Sequence, residues 1–300
     1  MRCPGTERVT MKTSRTTPRP ELQAPPMCAT SNPVESDSRF MAAAIRLGSR
    51  ELGCTWPNPA VGALIVRHER DGPVVVGRGW TRKGGRPHAE AEALAEAGER
   101  ARGATCYVSL EPCSHHGRAP PCAEALVKAG VARVVSAIED PDERVSGRGH
   151  AILRDAGVEV IVGVGAEAAY AVNAGHIMRV REGRPWVTLK LAVSRDGMIA
   201  GPGGAPAAIT RERARAASHM LRATNDAIVV GIGTVLADDP DLTCRLPGMA
   251  DRSPVRIVLD TDLRFPDTAK MLANAADVPV WLVSGDKADP ARKAALEARG

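Results

Sequence analysis

Pro87-His88-Ala89-Glu90, then Glu111-Pro112-Cys113, then Pro120-Pro121-Cys122: these short stretches decide how the chain reads. One imidazole and two thiolates are donor types that zinc prefers. Each of the three follows a proline and is predicted to sit where a helix begins. A helix N-terminus carries partial positive charge, which favours the thiolate form needed for ligation. Three protein ligands leave a fourth position to water, and zinc lowers that water's pKa to about 7. Glu90 lies two residues beyond His88, so the two side chains leave the helix in different directions. That makes Glu90 a poor fourth ligand but a suitable proton shuttle beside the water.

Working outward, helix and strand patterns alternate. A helix is predicted from about His88 to Arg102, then a strand at Thr105–Leu110. A helix at Pro121–Ala129 precedes the strand Arg133–Ile138, and one at Gly149–Ala156 precedes Val158–Val162. Upstream, Val61–Val66 and Val74–Val76 flank Asp71-Gly72, a hairpin signal. Before them Phe40, Met41, Ala44, Ile45 and Leu47 recur at helical spacing, with Ser36, Asp37 or Ser38 as cap. This alternation predicts an α/β layer with parallel crossovers. A last helix, Ala166–Arg181, stops at Glu182-Gly183 with Pro185 beyond, and the domain boundary is placed there. The second part reads as strand Trp186–Val193, helix Arg211–Arg222, strands Ala227–Val230, Val255–Asp260 and Val280–Val283, and a helix at Pro290–Arg299. Residues 1–38 are rich in Pro, Thr and Ser without periodicity and read as a disordered tail. That leaves 39–183 and 184–300 as the two domains.

Composition agrees with two globular domains: 300 residues, 44% hydrophobic and 25% charged. Aromatics at 3% exclude rows of stacking rings on a single strand. Lys+Arg number 40 against 35 Asp+Glu, interleaved rather than blocked, so no nucleic-acid partner is expected. No apolar run is long enough to span a bilayer, and the N-terminus lacks a secretory apolar core. A cytoplasmic protein with no membrane partner is expected. Seven cysteines, an odd count, fit reduced thiols with some free to bind metal.

The His-x-Glu…Pro-Cys plan is that of zinc deaminases acting on nucleobases. In those acting on nucleosides and nucleic acids the two cysteines are close, as Cys-x-x-Cys. Here the whole run reads Glu111-Pro112-Cys113-Ser114-His115-His116-Gly117-Arg118-Ala119-Pro120-Pro121-Cys122. With Pro57-Asn58-Pro59-Ala60-Val61-Gly62, Asp140-Pro141 and Gly147-Arg148-Gly149, it resembles the bifunctional riboflavin-biosynthesis deaminase–reductase family. The resemblance extends from about Phe40 to Ala298. It implies a cytidine-deaminase-like three-layer α/β domain holding zinc. The implied substrate is 2,5-diamino-6-(5-phosphoribosylamino)pyrimidin-4-one, whose ring 2-amino group water replaces. It implies Asn58, His115, Arg118 and Asp140 around the pyrimidine and phosphate. A guanidinium such as Arg118 forks onto phosphate oxygens. Asp142 stands where the family commonly carries Asn, and its carboxylate would repel a phosphate.

The second half carries the resemblance in Leu189–Gly197, Leu221-Arg222, Gly231–Pro240, Leu242-Thr243-Cys244-Arg245 and Val258-Leu259-Asp260-Thr261. It implies a dihydrofolate-reductase-like domain that uses NADPH to reduce the ribosyl group to ribityl. Arg222, Leu242 and Arg245 would hold the phosphorylated substrate, and Ala192, Thr234, Asp238 and Thr261 the cofactor. The family's Ser-x-Trp-Ile-Thr is here Pro206-Ala207-Ala208-Ile209-Thr210. Pro206 offers no side-chain hydrogen bond, and Ala208 removes a packing surface. The family's sequence continues past the point where this one stops. A weakened, incomplete reductase half is therefore expected.

Two other readings accompany this one. A zinc deaminase of a free nucleoside or of tRNA would share the metal constellation but not the long Cys-to-Cys spacing. A non-catalytic, zinc-stabilised scaffold would close the metal with His115 or His116 and leave Glu90 an ordinary acid. The expected partner is a phosphorylated pyrimidine, and assembly into a homo-oligomer is compatible with the sequence.

Overall fold

The computed structural model describes residues 33–116, 120–143, 145–205 and 207–299. Of the predicted tail, residues 1–32 lie outside these. The remainder belongs to α1 (Pro33–Gly48), so order begins before residue 39. Proline suits a first helical turn, where its missing N–H is not needed. Ser36 and Asp37 are buried rather than capping.

Three of the predicted strand–helix units recur. In order follow β1 (Gly62–Glu69), β2 (Gly72–Trp80), α2 (Ala89–Ala97) and β3 (Thr105–Val108). Next are α3 (Cys122–Lys128), β4 (Arg133–Ser136), α4 (Arg148–Asp155), β5 (Glu159–Val162), α5 (Ala166–Val172) and α6 (Ala174–Glu182). The five strands form one sheet in the order β2-β1-β3-β4-β5. β1 is antiparallel to β2 and β3, whereas β3, β4 and β5 run parallel.

Two glycines set the layers. A Cβ on Gly62 would lie 1.9 Å from the Ala44 carbonyl oxygen of α1, and one on Gly79 would lie 1.9 Å from the Ala89 carbonyl oxygen of α2. Ala63, next to Gly62, is the register partner of Gly79. Neighbours along a strand face opposite ways, so α1 and α2 cover opposite faces. Between them Met41, Ala63, Ile65, Cys106, Val108 and Val134 are fully buried.

The predicted helix Ala166–Arg181 is two helices, α5 and α6, joined at Asn173. The buried Asn173 side chain accepts from the Ala60 N–H at 2.9 Å and donates to the Ala60 carbonyl at 3.2 Å. An amide side chain that satisfies a loop's backbone in both directions is a tertiary demand that helical periodicity does not carry.

The second sheet is smaller. After α7 (Glu212–Ala223) come β6 (Ala227–Gly231), α8 (Ile232–Asp238), β7 (Val255–Leu259), β8 (Val280–Val283) and α9 (Pro290–Glu297). The three strands are parallel in the order β6-β7-β8. Ile232, Val258, Phe265, Met271 and Leu296 form their core. The strand predicted at Trp186–Val193 is not formed: the segment joins neither sheet among the described residues, and Val187, Leu189 and Leu191 are exposed. Strand propensity is only a local preference, and without a ladder neighbour it does not make a strand. Arg252 Nη2 meets Glu51 Oε2 at 2.8 Å and ties the second part to the first. Among the described residues, no helix is long and apolar enough to cross a membrane.

Candidate active site

Parallel strands leave a crevice beyond their carboxyl ends, where ligands of α/β sheets commonly bind. The chain beyond β3 carries Glu111 and Cys113, and the chain beyond β4 carries Asp140. His88 is the N-cap residue of α2, and Glu90 lies in that helix's first turn. Cys122 is the first residue of α3. His88, Glu90, Glu111, Cys113 and Asp140 line a cleft of about 980 Å³, and Cys122 is buried beneath it against His88 and Cys113.

At its floor, His88 Nδ1 lies 3.6 Å from Cys113 Sγ and 3.4 Å from Cys122 Sγ. The three donor atoms all fall within 4.8 Å of one another. One nitrogen and two sulfurs from three separate segments, converging this closely, fit zinc. Cys113 was expected at a helix start and is instead in a loop. It still receives a helix N-terminus, because the Cys122 N–H of α3 donates to its sulfur at 3.3 Å. Hydrogen bonds from the Cys122 thiol, the His88 ring and that N–H hold Cys113 down to about 4, against burial. No fourth side chain joins the cluster among the described residues. His116 faces Glu124 at 3.5 Å, and His115 is exposed at the cleft wall. A structural site closed by either histidine is therefore not what the described residues form.

Glu90 is 4% exposed and faces the cleft without belonging to the donor cluster. Burial first, and then the negative charge of Cys113, push its carboxyl up to about 7. A carboxyl near neutrality takes and returns a proton readily.

Asn58, His115 and Asp140 also line the cleft. The Asn58 side-chain amide donates to the Gly85 carbonyl at 2.8 Å. Asp140 Oδ1 accepts from the Asp142 N–H at 2.9 Å, and burial raises its pKa. Arg118 lies outside the described residues.

Arg86, Glu111, His176 and Arg179 line the cleft too, and no role was read for them from the sequence. Arg179 donates to the Pro57 carbonyl at 3.0 Å and lies 3.3 Å from His176 Nδ1. Burial, and then the Arg179 charge, lower His176 to about 4, so it is neutral and accepts from the guanidinium. Both residues are on α6, far along the chain from the metal motif. The Asn173–Ala60 pairing, invisible in one sequence, ties the start of α6 to the loop that carries Pro57 and Asn58.

In the second part, Arg222 Nη1 donates to the Thr243 carbonyl at 2.8 Å. The Arg245 N–H donates to His219 Nδ1 at 3.2 Å, and Leu242, just before these contacts in sequence, is buried with a φ of 59°. Arg222, Leu242 and Arg245 thus meet around one loop. Thr234 and Asp238 follow β6 on α8, and Thr261 follows β7. Gly231 and Leu259 are register partners at the ends of those strands. Thr234, near the start of α8, and Thr261 thus follow the carboxyl ends of neighbouring parallel strands, a placement that fits a nucleotide cofactor, whereas Asp238 is the last residue of α8. Ala192 lies instead in the unpaired segment after Gly183. Pro206 is outside the described residues, and Ala208 is exposed.

Residues 34–138 match the cytidine and deoxycytidylate deaminase zinc-binding region, and residues 185–297 match the RibD C-terminal domain. The riboflavin biosynthesis protein RibD of Aquifex aeolicus is 42% identical over 259 residues, covering 86% of this chain and 71% of that protein. RibD of Escherichia coli is 46% identical over 239 residues, covering 76% of this chain and 64% of that protein. Among solved structures, Acinetobacter baumannii RibD superposes with a TM-score of 0.76 at 43% identity, over 85% of this chain and 71% of that one. A Thermotoga maritima diaminohydroxyphosphoribosylaminopyrimidine deaminase/5-amino-6-(5-phosphoribosylamino)uracil reductase superposes at 0.78 with 36% identity, over 86% and 73%. A cytidine-deaminase-like domain carrying a His–Cys–Cys cluster, followed by a RibD C-terminal domain, and identities above 40% across most of the chain, mean that the chain belongs to the RibD family of riboflavin biosynthesis proteins.

Proposed function

We propose that this chain performs two reactions of riboflavin biosynthesis. The first is hydrolytic deamination of 2,5-diamino-6-(5-phosphoribosylamino)pyrimidin-4-one, and the second is NADPH-dependent reduction of the ribosyl group to ribityl. The observation that carries the first reaction is the cluster of His88, Cys113 and Cys122, two of whose members line one cleft with the buried Glu90. The division between the two activities is placed at Gly183, after α6.

In the deamination, a water oxygen bonds to the ring carbon, the bond from that carbon to its amino nitrogen breaks, and ammonia leaves. His88, Cys113 and Cys122 would hold zinc, which when bound would supply a Lewis acid that makes water acidic near neutral pH. Glu90 takes one proton from the attacking water on its carboxylate and passes it to the ring nitrogen, then takes the proton left on the new C–OH group and gives it to the departing amine, which leaves C=O and ammonia. Its burial favours this, since a desolvated carboxylate takes up a proton more readily than an exposed one. Asn58, pinned to Gly85, and Asp140, braced on Asp142, offer fixed polar atoms to the pyrimidine. His115 at the mouth and Arg118 take the phosphate.

In the reduction, Arg222 and Arg245 bind the phosphorylated product of the first reaction beside the loop at Leu242. Thr234, Asp238, Thr261 and Ala192 would hold NADPH, which when bound would supply a hydride for the reduction.

A coupled assay on the purified full chain, with the diaminopyrimidine phosphate as substrate, tests both halves. Ammonia release and NADPH consumption are recorded separately. Stoichiometric ammonia followed by NADPH loss is expected. Ammonia from cytidine or tRNA, and none from the diaminopyrimidine phosphate, would reverse the assignment.

A further inference from the structure

Glu111 is 4% exposed, two residues before Cys113, and its carboxylate is bound by backbone. Its Oε2 accepts from the N–H groups of Asp140 at 3.0 Å and Gly147 at 2.9 Å. Its Oε1 accepts from those of Gly149 at 2.8 Å and His150 at 3.4 Å. Charge-assisted bonds of this kind are about twice as strong as neutral ones, and four on one buried group leave it little freedom. The donors sit at the two ends of a loop. That loop carries Asp140, Asp142, Glu143 and Val145 to the cleft wall. Glu111 itself rides on the chain that delivers Cys113 to the donor cluster.

We propose that Glu111 is a positioning residue for the deaminase: it fixes the substrate wall at residues 140–149 relative to the metal-binding chain. This role rests on the deamination assigned above. A buried carboxylate suits it because all its lone pairs accept. A glutamine in its place has one oxygen and one NH2 group, so the NH2 group would face two N–H donors. The loop would then lose either its Asp140 and Gly147 bonds or its Gly149 and His150 bonds.

The test is E111Q in the full chain, with three readings. KM for the diaminopyrimidine phosphate is expected to rise about tenfold or more, with kcat within about threefold and zinc content unchanged. Amide hydrogen exchange is expected to speed up at Asp140 and Gly147, or at Gly149 and His150, and not in the buried strand β3. E111D keeps the charge but is one methylene shorter, and its KM is expected between those of wild type and E111Q. Where E111Q folds poorly, E111D decides by the same readings. An unchanged KM with unchanged exchange overturns the proposal, as does a loss confined to kcat or to zinc content. If the wild-type chain releases no ammonia, the assigned reaction fails, and the exchange reading alone still decides whether Glu111 holds the loop.

Discussion

The backbone N–H of Cys122 donates to the sulfur of Cys113 at 3.3 Å. The first N–H groups of a helix have no partner within it, so α3 lends one to the other cysteine. A single helix start thus serves both sulfurs: one is attached to it, and the other is hydrogen-bonded by it. The two cysteines are therefore expected to fail together. Cys113→Ala and Cys122→Ala should each purify with zinc far below one per chain, measured by elemental analysis. The affinity loss should exceed the roughly 100-fold that follows from disturbing a ligand's supporting contacts. Chelator treatment of the wild type should abolish ammonia release, and added zinc should restore it.

Glu90 separates an enzyme from a zinc-stabilised scaffold. It is buried in the cleft and stands outside the donor cluster, so changing it should leave the metal in place. Glu90→Gln is expected to keep stoichiometric zinc and an unchanged Tm while ammonia release falls about 100- to 10,000-fold. Loss of zinc in this variant would make Glu90 a ligand, and full activity would leave it without a role.

The metal constellation was legible because its chemistry is compressed into short, proline-marked motifs. His88, Cys113 and Cys122 are donors of the right kind whatever surrounds them, and the glutamate two residues on restricts its own role. Strand and helix order in the first part was legible from periodicity. What was hidden depends on distant partners. Asp37 reads as a helix cap by residue type, yet it lies inside α1 and reaches across to Tyr107 and Arg133. Arg179 and His176 reach the cleft on a helix that Asn173 starts while binding Ala60, with Arg179 bonded to Pro57. Trp186–Val193 alternates as a strand should, and no described strand pairs with it. Each miss is a tertiary contact overriding a local preference, or failing to complete one.

Gly62 offers a stability test that leaves the chemistry untouched. Its missing side chain lets α1 approach the sheet until the Ala44 carbonyl oxygen would touch a Cβ at 1.9 Å. Because that atom is backbone, an alanine can fit only if the helix retreats. Gly62→Ala is expected to cost about 1–3 kcal/mol or more in urea unfolding, with the m-value retained. A cost below about 0.5 kcal/mol would mean that α1 slides freely and that the close approach has no energetic weight.

Asp37 gives the pH dependence. Arg133 clasps it from two nitrogens, Nη1 to Oδ1 at 2.9 Å and Nη2 to Oδ2 at 2.6 Å, and the Tyr107 hydroxyl donates to Oδ1 at 2.8 Å. Burial alone would raise the carboxyl, but these bonds outweigh it and hold Asp37 below its ordinary value. A carboxyl with a lowered folded pKa binds its proton more weakly folded than unfolded. Its stabilisation is therefore complete above the unfolded value of about 3.9 and is lost as pH falls through the folded one. Asp37→Asn keeps the shape and removes the charge, and it should cost about 2–3 kcal/mol at pH 7. The gap between wild type and variant should stay constant from pH 7 to about 5. It should begin to close below about pH 4, where the unfolded carboxyl takes up its proton, and finish closing only once pH has passed the lower folded value, where the wild-type carboxyl is neutral like the amide. Urea titrations of both proteins across this range measure the gap directly. A gap that persists undiminished at pH 2 would assign the stabilisation to packing at Tyr107 and Phe40, whose ring centroids lie 5.2 Å apart, rather than to the ion pair.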